Sequence, residues 1–521
     1  VTRLSTPAYD AVGPFVLGLD VGSGGSRAAL YDATGREVGD RKLKVPHAFT
    51  TAGDGTSVID ADQIVDELRT AMTAVLSPTG PKGTDGTAHD GKKHKHAKGA
   101  DTGSGVPGPV VGIGLDTFAS SLVAVGADGT ALTPCITYAD TRGQEQVARL
   151  IEQLDTDALH ERTGARMHTS YTAPRLLWLR EQYPDVFART TSFMSLGEYV
   201  AFKLLGTPAQ GTASAAWSGL IDRRTGQYVP ELLEAVGVSP DQLGAPRDPA
   251  DTVPVAGTPL ARHVPLLDGA AWVPVIGDGL AANIGIGATG TGTWGISTAT
   301  SGAIRQLLTG QGGDLPDGLW AYRVDGDRTL VGSAMSDCGR VLDFARSRFA
   351  LPQALDEIDI DTLLTAGPDA ATPLVVPFLS GERGTKWRGD ARAIYANVSA
   401  STTPAELLRG SYEGIALAYL RIADQLREVG GAPQRIVLSG GMTDVAPQWL
   451  QILADALQAP IDHVGFSRST MRGSALLALE QTVPDAPLSK VPVLRTVEPV
   501  TGNADYYRER LARFEVLADV A

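Results

Sequence analysis

The stretch VIGDGLAANIGIG, Val275 to Gly287, sets one carboxylate, Asp278, between two glycines at the end of an apolar run and ahead of small residues. Glycines let another group come close to the backbone, and a strand-to-helix turn is a common mount for chemistry. The turn GSGGS, Gly22 to Ser26, offers several backbone N–H groups and two hydroxyls to an anion. Asp20, at the end of the strand before it, is placed to hold Mg2+ through water beside a bound phosphate. A further small-residue turn, Ser439 to Gly441, follows the apolar run RIVL, and another sits in STATSGAIR. Singly, each turn is also an ordinary hairpin and Asp278 an ordinary helix cap. Together they point to phosphoryl transfer onto a small molecule.

Other chemistries fit less well. GIGATG, Gly285 to Gly290, matches a bare GxGxxG, but it does not join a strand to a helix in a βαβ unit with an acid about 20 residues on. No GxxxxGK[ST] occurs. With 45 Lys and Arg against 59 Asp and Glu, the net charge of −14 leaves no general excess of cations for phosphate backbones, so a nucleic-acid partner is not expected. Cys135 and Cys338 stand far apart without CxxC spacing and read as free thiols. The chain shows no charged and apolar leader and no apolar run of about 18 residues, which predicts a cytoplasmic protein without a membrane partner.

The elements that must carry these residues alternate between strand and helix, which makes the class α/β. FVLGLDVGSGGSRAALYDATGREV reads as strand, glycine turn, strand. IDADQIVDELRTAMTAVL has helical apolar spacing with Asp60 as cap, and VVGIGLDTFASSLVAVG repeats the strand-and-glycine logic. The segment from about residue 79 to 108 is rich in Gly, Lys and His and almost free of large apolar residues, so it reads as a mobile surface insertion carrying His89, His94 and His96. A Pro-rich approach to Asp278 marks a second half. The turns DVGSGGSR and STATSGAIR, far apart in the chain, hint at an internal duplication.

The order of motifs resembles the FGGY carbohydrate kinases of the actin-like ATPase superfamily, from about Phe15 to Glu480. SYTAPRLLWLREQ is similar to the first family signature at Ser170, Thr172, Leu176, Trp178 and Leu179, with Arg175 where Lys is usual. AIYANVSASTTPAELLRGSYEG resembles the second at Glu406, Leu407, Ser411, Tyr412 and Glu413, departing at Asn397 and Gly410. PCITYADTR and FLSGERGTKWRGDAR resemble segments of the gluconokinase group, whose AMHS is here FASS, with Ser120 in place of His.

The resemblance implies two actin-like (ribonuclease H-like) α/β domains with a cleft between them: residues 1–265 on the substrate side, 266–521 on the nucleotide side. Asp278 would be the general base, and Ser120, Asp140, Arg142 and Tyr171 would join it in contacting substrate. ATP would meet Gly22, Ser23, Gly24 and Ser26, then Thr300, Ser301, Gly302, Gly339, Gly440, Gly441 and Met442, with Mg2+ at Asp20. The implied partners are a small sugar or sugar acid and, at most, a second copy of the chain. Arg142, a cation with a planar fork, favours a gluconate-like sugar acid; a xylulose-like ketose and a non-catalytic sugar or nucleotide sensor are the alternatives.

Overall fold

The computed structural model describes residues 4–81, 106, 108–349, 359–465 and 469–521. His89, His94 and His96, with most of the segment read as an insertion, lie outside the described residues. The chain divides into two units: Thr2–Gly285 with Arg468–Lys490, and Ile286–Ser467 with Val491–Ala521. The division falls at Gly285 rather than near residue 265, and a late stretch of chain returns to the first unit.

The first unit is built on a mixed sheet. Its strand Phe15–Gly22 is apolar almost throughout and buried on both faces, as a central strand must be. It pairs antiparallel with Gly25–Tyr31 and parallel with Val110–Thr117, which in turn pairs parallel with Ile276–Gly277. The helix Ala61–Leu76 turns Ile64, Val65, Leu68, Ala71, Met72 and Val75 inward. Asp60 caps it by accepting from the N–H groups of Asp62 and Gln63, as its position predicts.

The helix Ser469–Thr482 packs against the central strands of this sheet and against the helix Asp278–Gly285. Here the glycines are a matter of clearance. A Cβ on Gly114 would lie 2.0 Å from the carbonyl oxygen of Ser474, and one on Gly285 would lie 1.8 Å from that of Ser469. Only glycine lets the backbones approach this closely. The small residues after Asp278 therefore serve helix packing as well as any site.

The second unit repeats the scheme. Thr293–Thr298 pairs antiparallel with Gly302–Thr309 and parallel with Arg435–Ser439, inside a seven-stranded mixed sheet. A central strand, its hairpin partner and a parallel neighbour thus recur in both units, in keeping with the duplicated turns of the sequence. The helix Pro404–Gly430 buries Ile415, Tyr419 and Leu426 among others and starts at a capping box in which Thr403 and Glu406 satisfy each other's N–H groups. Both cysteines are free and buried, and burial pushes each thiol up to about 12, so they are packing residues.

Candidate active site

Three strand ends of the first unit bring three carboxylates together. Asp20 stands opposite Asp116 in the register of the parallel pair, and Asp116 stands opposite Ile276 on the next strand, two residues before Asp278. Asp20 and Asp116 are buried, while Asp278 is half-exposed at the start of its helix. Nη1 of Arg27 donates to Asp20 at 2.5 Å. Among the described residues, neither oxygen of Asp116 has a well-formed hydrogen bond, though Asp20 and the Ser474 side chain lie close to it. Burial, then the charges on Asp20 and Asp278, hold the Asp116 carboxyl well above the usual range.

Asp116 is absent from the residues expected from sequence, yet a signal was there. The triplet Gly-Leu-Asp occurs at 18–20 and again at 114–116, and the sheet sets the two triplets side by side. All-oxygen donors, two of them without a well-formed hydrogen bond, suit Mg2+, a hard cation that takes one or two carboxylates and keeps water.

The turn after Asp20 joins two paired strands. Ser23 and Gly24 are exposed at its tip, with Gly22 half-buried behind them. Ser26 departs from expectation: it is buried, and its hydroxyl donates to Glu67 at 2.7 Å instead of facing an anion. Strand alternation explains this, since Ser26 lies on the face that packs on the helix Ala61–Leu76.

The expected substrate residues form a second cluster in the same unit. Ser120 has φ 54°, and its hydroxyl donates to the carbonyl of Trp217 at 2.5 Å, while its own carbonyl accepts from Arg175. The Trp217 indole lies over Gly277, where a Cβ would be 3.2 Å from Nε1, so one residue links Ser120 to the Asp278 turn. Tyr171 is buried beside Gly219, and the N–H of Thr172 donates to the carbonyl of Ser218. Arg142 does not stand as an open cation. Its Nε and Nη2 grip Asp140 at 3.0 and 2.7 Å, and its guanidinium lies 4.2 Å from the Trp178 ring centroid. Arg175 is buried, its Nε and Nη2 have no hydrogen-bond partner among the described residues, and burial lowers it to about 10.

The second unit holds a cavity of about 340 Å³, within the range of small-ligand pockets. Of the expected nucleotide residues, Thr300, Gly339, Gly441 and Met442 line it, joined by Arg346 and Tyr412. Ser301, Gly302 and Gly440 do not line it. Gly440 shapes the backbone nearby: its φ is 140°, and a Cβ would lie 1.9 Å from the carbonyl oxygen of Thr298. Ser301 is exposed on the hairpin, and Gly302 lies against the Tyr419 hydroxyl.

Residues 15–285 match the N-terminal domain model of the FGGY family of carbohydrate kinases, and residues 291–481 match its C-terminal domain model. The chain belongs to the FGGY family of carbohydrate kinases. Among its relatives are a gluconokinase of Bacillus licheniformis, 22% identical over 90% of this chain and 88% of that protein, and a xylulose kinase of Klebsiella pneumoniae, 26% identical over 89% of each. In fold it is similar to the gluconate kinase structure from Lactobacillus acidophilus, with a TM-score of 0.83 at 20% identity, covering 97% of this chain and 98% of that one. The protein is thus a sugar kinase of two α/β domains, from a family that uses ATP. Among the described residues, no helix is long and apolar enough to cross a membrane.

Proposed function

We propose that this FGGY kinase transfers the γ-phosphoryl group of ATP to a hydroxyl of a gluconate-like sugar acid, with Asp278 as general base. The substrate oxygen bonds to the γ-phosphorus, its proton passes to Asp278, and the bond from phosphorus to the departing ADP oxygen breaks. The observation that carries this reading is the convergence of Asp20, Asp116 and Asp278 at one sheet end. Phosphoryl transfer asks a protein mainly for positioning and charge stabilisation, and a placed base adds about 10²–10⁴-fold. Asp20 and Asp116 would hold Mg2+, which when bound neutralises charge on the phosphate oxygens. Gly22 to Gly24 would meet the phosphates, and the cavity at Thr300, Gly339, Gly441 and Met442 would take the nucleoside.

The gluconokinase relatives, matched over nine-tenths of the chain, support a sugar acid. One observation favours a second reading. The only cation among the expected substrate residues, Arg142, is already neutralised by Asp140, which suits an uncharged ketose such as xylulose. Side-by-side kcat/KM values for gluconate and xylulose decide between them, and preference for the ketose removes the sugar-acid reading while leaving the kinase intact. Asp278→Asn tests the base: turnover drops at least about 10²-fold with ATP binding retained, and near-normal turnover refutes the assignment.

A further inference from the structure

Behind the Gly22–Gly25 turn sits a buried polar cluster that no step above uses. The His47 ring is shielded from solvent, and both of its nitrogens face oxygen acceptors. Nδ1 is 2.7 Å from Oε2 of Glu67, and Nε2 is 2.8 Å from the carbonyl oxygen of Gly22. Glu67 is surrounded by donors: its Oε2 also accepts from the Ser26 hydroxyl at 2.7 Å, and its Oε1 accepts from Nε2 of Gln63 at 2.8 Å. A carboxylate so placed is an acceptor only.

A neutral imidazole carries one N–H and can satisfy one of its two acceptors, whereas the imidazolium carries two N–H groups and satisfies both. The ring therefore ties the turn to the helix Ala61–Leu76 only in its protonated form. Losing the proton frees either Gly22 or Glu67. Beside the turn stand Asp20 and Arg27, paired with each other, and Lys44, whose stem lies against Gly25; the helix adds Asp62, Asp66 and Arg69, and the strand of Lys44 adds Glu37, Asp40, Arg41 and Lys42.

We propose that His47, bonded at both ring nitrogens as the imidazolium, is a positioning residue that clamps the Gly22–Gly25 turn in the shape that receives the nucleotide's phosphates, so that ATP affinity falls when either bond is lost. This rests on the reading of that turn as a phosphate site. It acts on ATP and not on the sugar.

The test is the ATP KM of the full-length enzyme, measured with saturating sugar and paired with calorimetric ATP binding. His47→Gln raises both KM and Kd for ATP, by about tenfold for the loss of one such bond, while the sugar KM stays level. A variant with the wild-type ATP KM and Kd overturns the proposal. Should His47→Gln fold poorly, the 15N shifts of the His47 ring in the wild type give a second readout. A ring that carries a single proton while ATP binds tightly overturns the proposal equally. Failure of the kinase reading looks different, because the wild type then consumes no ATP with any sugar at any pH.

Discussion

Asp20 and Asp116 occupy the same register position on adjacent parallel strands, yet among the described residues Arg27 is bonded to the first and no well-formed hydrogen bond reaches the second. A fold selected for stability alone would not keep a buried acid without such a bond beside two others.

Asp116→Asn accordingly separates stability from activity. The amide removes a buried charge site and offers N–H donors to the neighbouring carboxylates, so the variant should be more stable by about 1 kcal/mol or more in urea titration. Turnover should fall at the same time. Unchanged turnover with raised stability would make Asp116 a passive residue.

Two adjacent glycines make a paired test of the nucleotide cavity. Gly441 lines the cavity, and a Cβ there meets nothing within 4 Å, so Gly441→Val should fold normally and raise the ATP KM about tenfold or more by filling space. Gly440→Val drives its side chain into the carbonyl of Thr298 and should lower Tm sharply. Equal ATP affinity in Gly441→Val and the wild type would place the nucleoside elsewhere.

Arg142→Ala leaves Asp140 buried without its partner. A loss of about 1.5–3 kcal/mol is expected, because charge-assisted hydrogen bonds are removed from a carboxylate that is hardly exposed. Chemical denaturation measures it. If the ratio of gluconate to xylulose kcat/KM also shifts, Arg142 touches the substrate; if only stability moves, it is a brace for Asp140.

Glu198 supplies a pH test of the fold. It is fully buried at the start of the helix Leu196–Leu205, one oxygen accepts the Ser195 N–H and the other has no hydrogen-bond partner among the described residues, and burial raises its pKa from 4.5 to about 8. The folded state thus holds the proton more tightly than the unfolded chain. Its contribution is fully present below about pH 4.5 and is lost as pH rises toward about pH 8. Glu198→Gln keeps an acceptor for Ser195 and should gain stability over the wild type progressively across that window, read from Tm against pH. A difference that does not vary with pH would contradict the shift.

Local chemistry made much of this site legible in advance. Asp60 as cap, the hairpin at Gly22, the strand-to-helix turn at Asp278 and the hairpin at Thr300 each follow from residue types within a few positions of one another. What stayed hidden depends on partners distant in the chain. Ser26 looked like an anion ligand because the Glu67 that takes its hydroxyl lies on a later helix. Arg142 looked like an open cation although Asp140 is two residues away, since proximity in sequence does not say which way two side chains turn. The repeat of Gly-Leu-Asp was visible, but only strand pairing gives it meaning.

The helix Ser469–Thr482 completes the first unit from late in the chain, its backbone seated on Gly18 and Gly114. During synthesis, the sheet that carries Asp20, Asp116 and Asp278 waits with one face bare until nearly all of the second unit has left the ribosome. The first unit is thus closed late although its strands are made first, and a cut at Gly285 leaves the fragment that carries those strands without the helix that covers them.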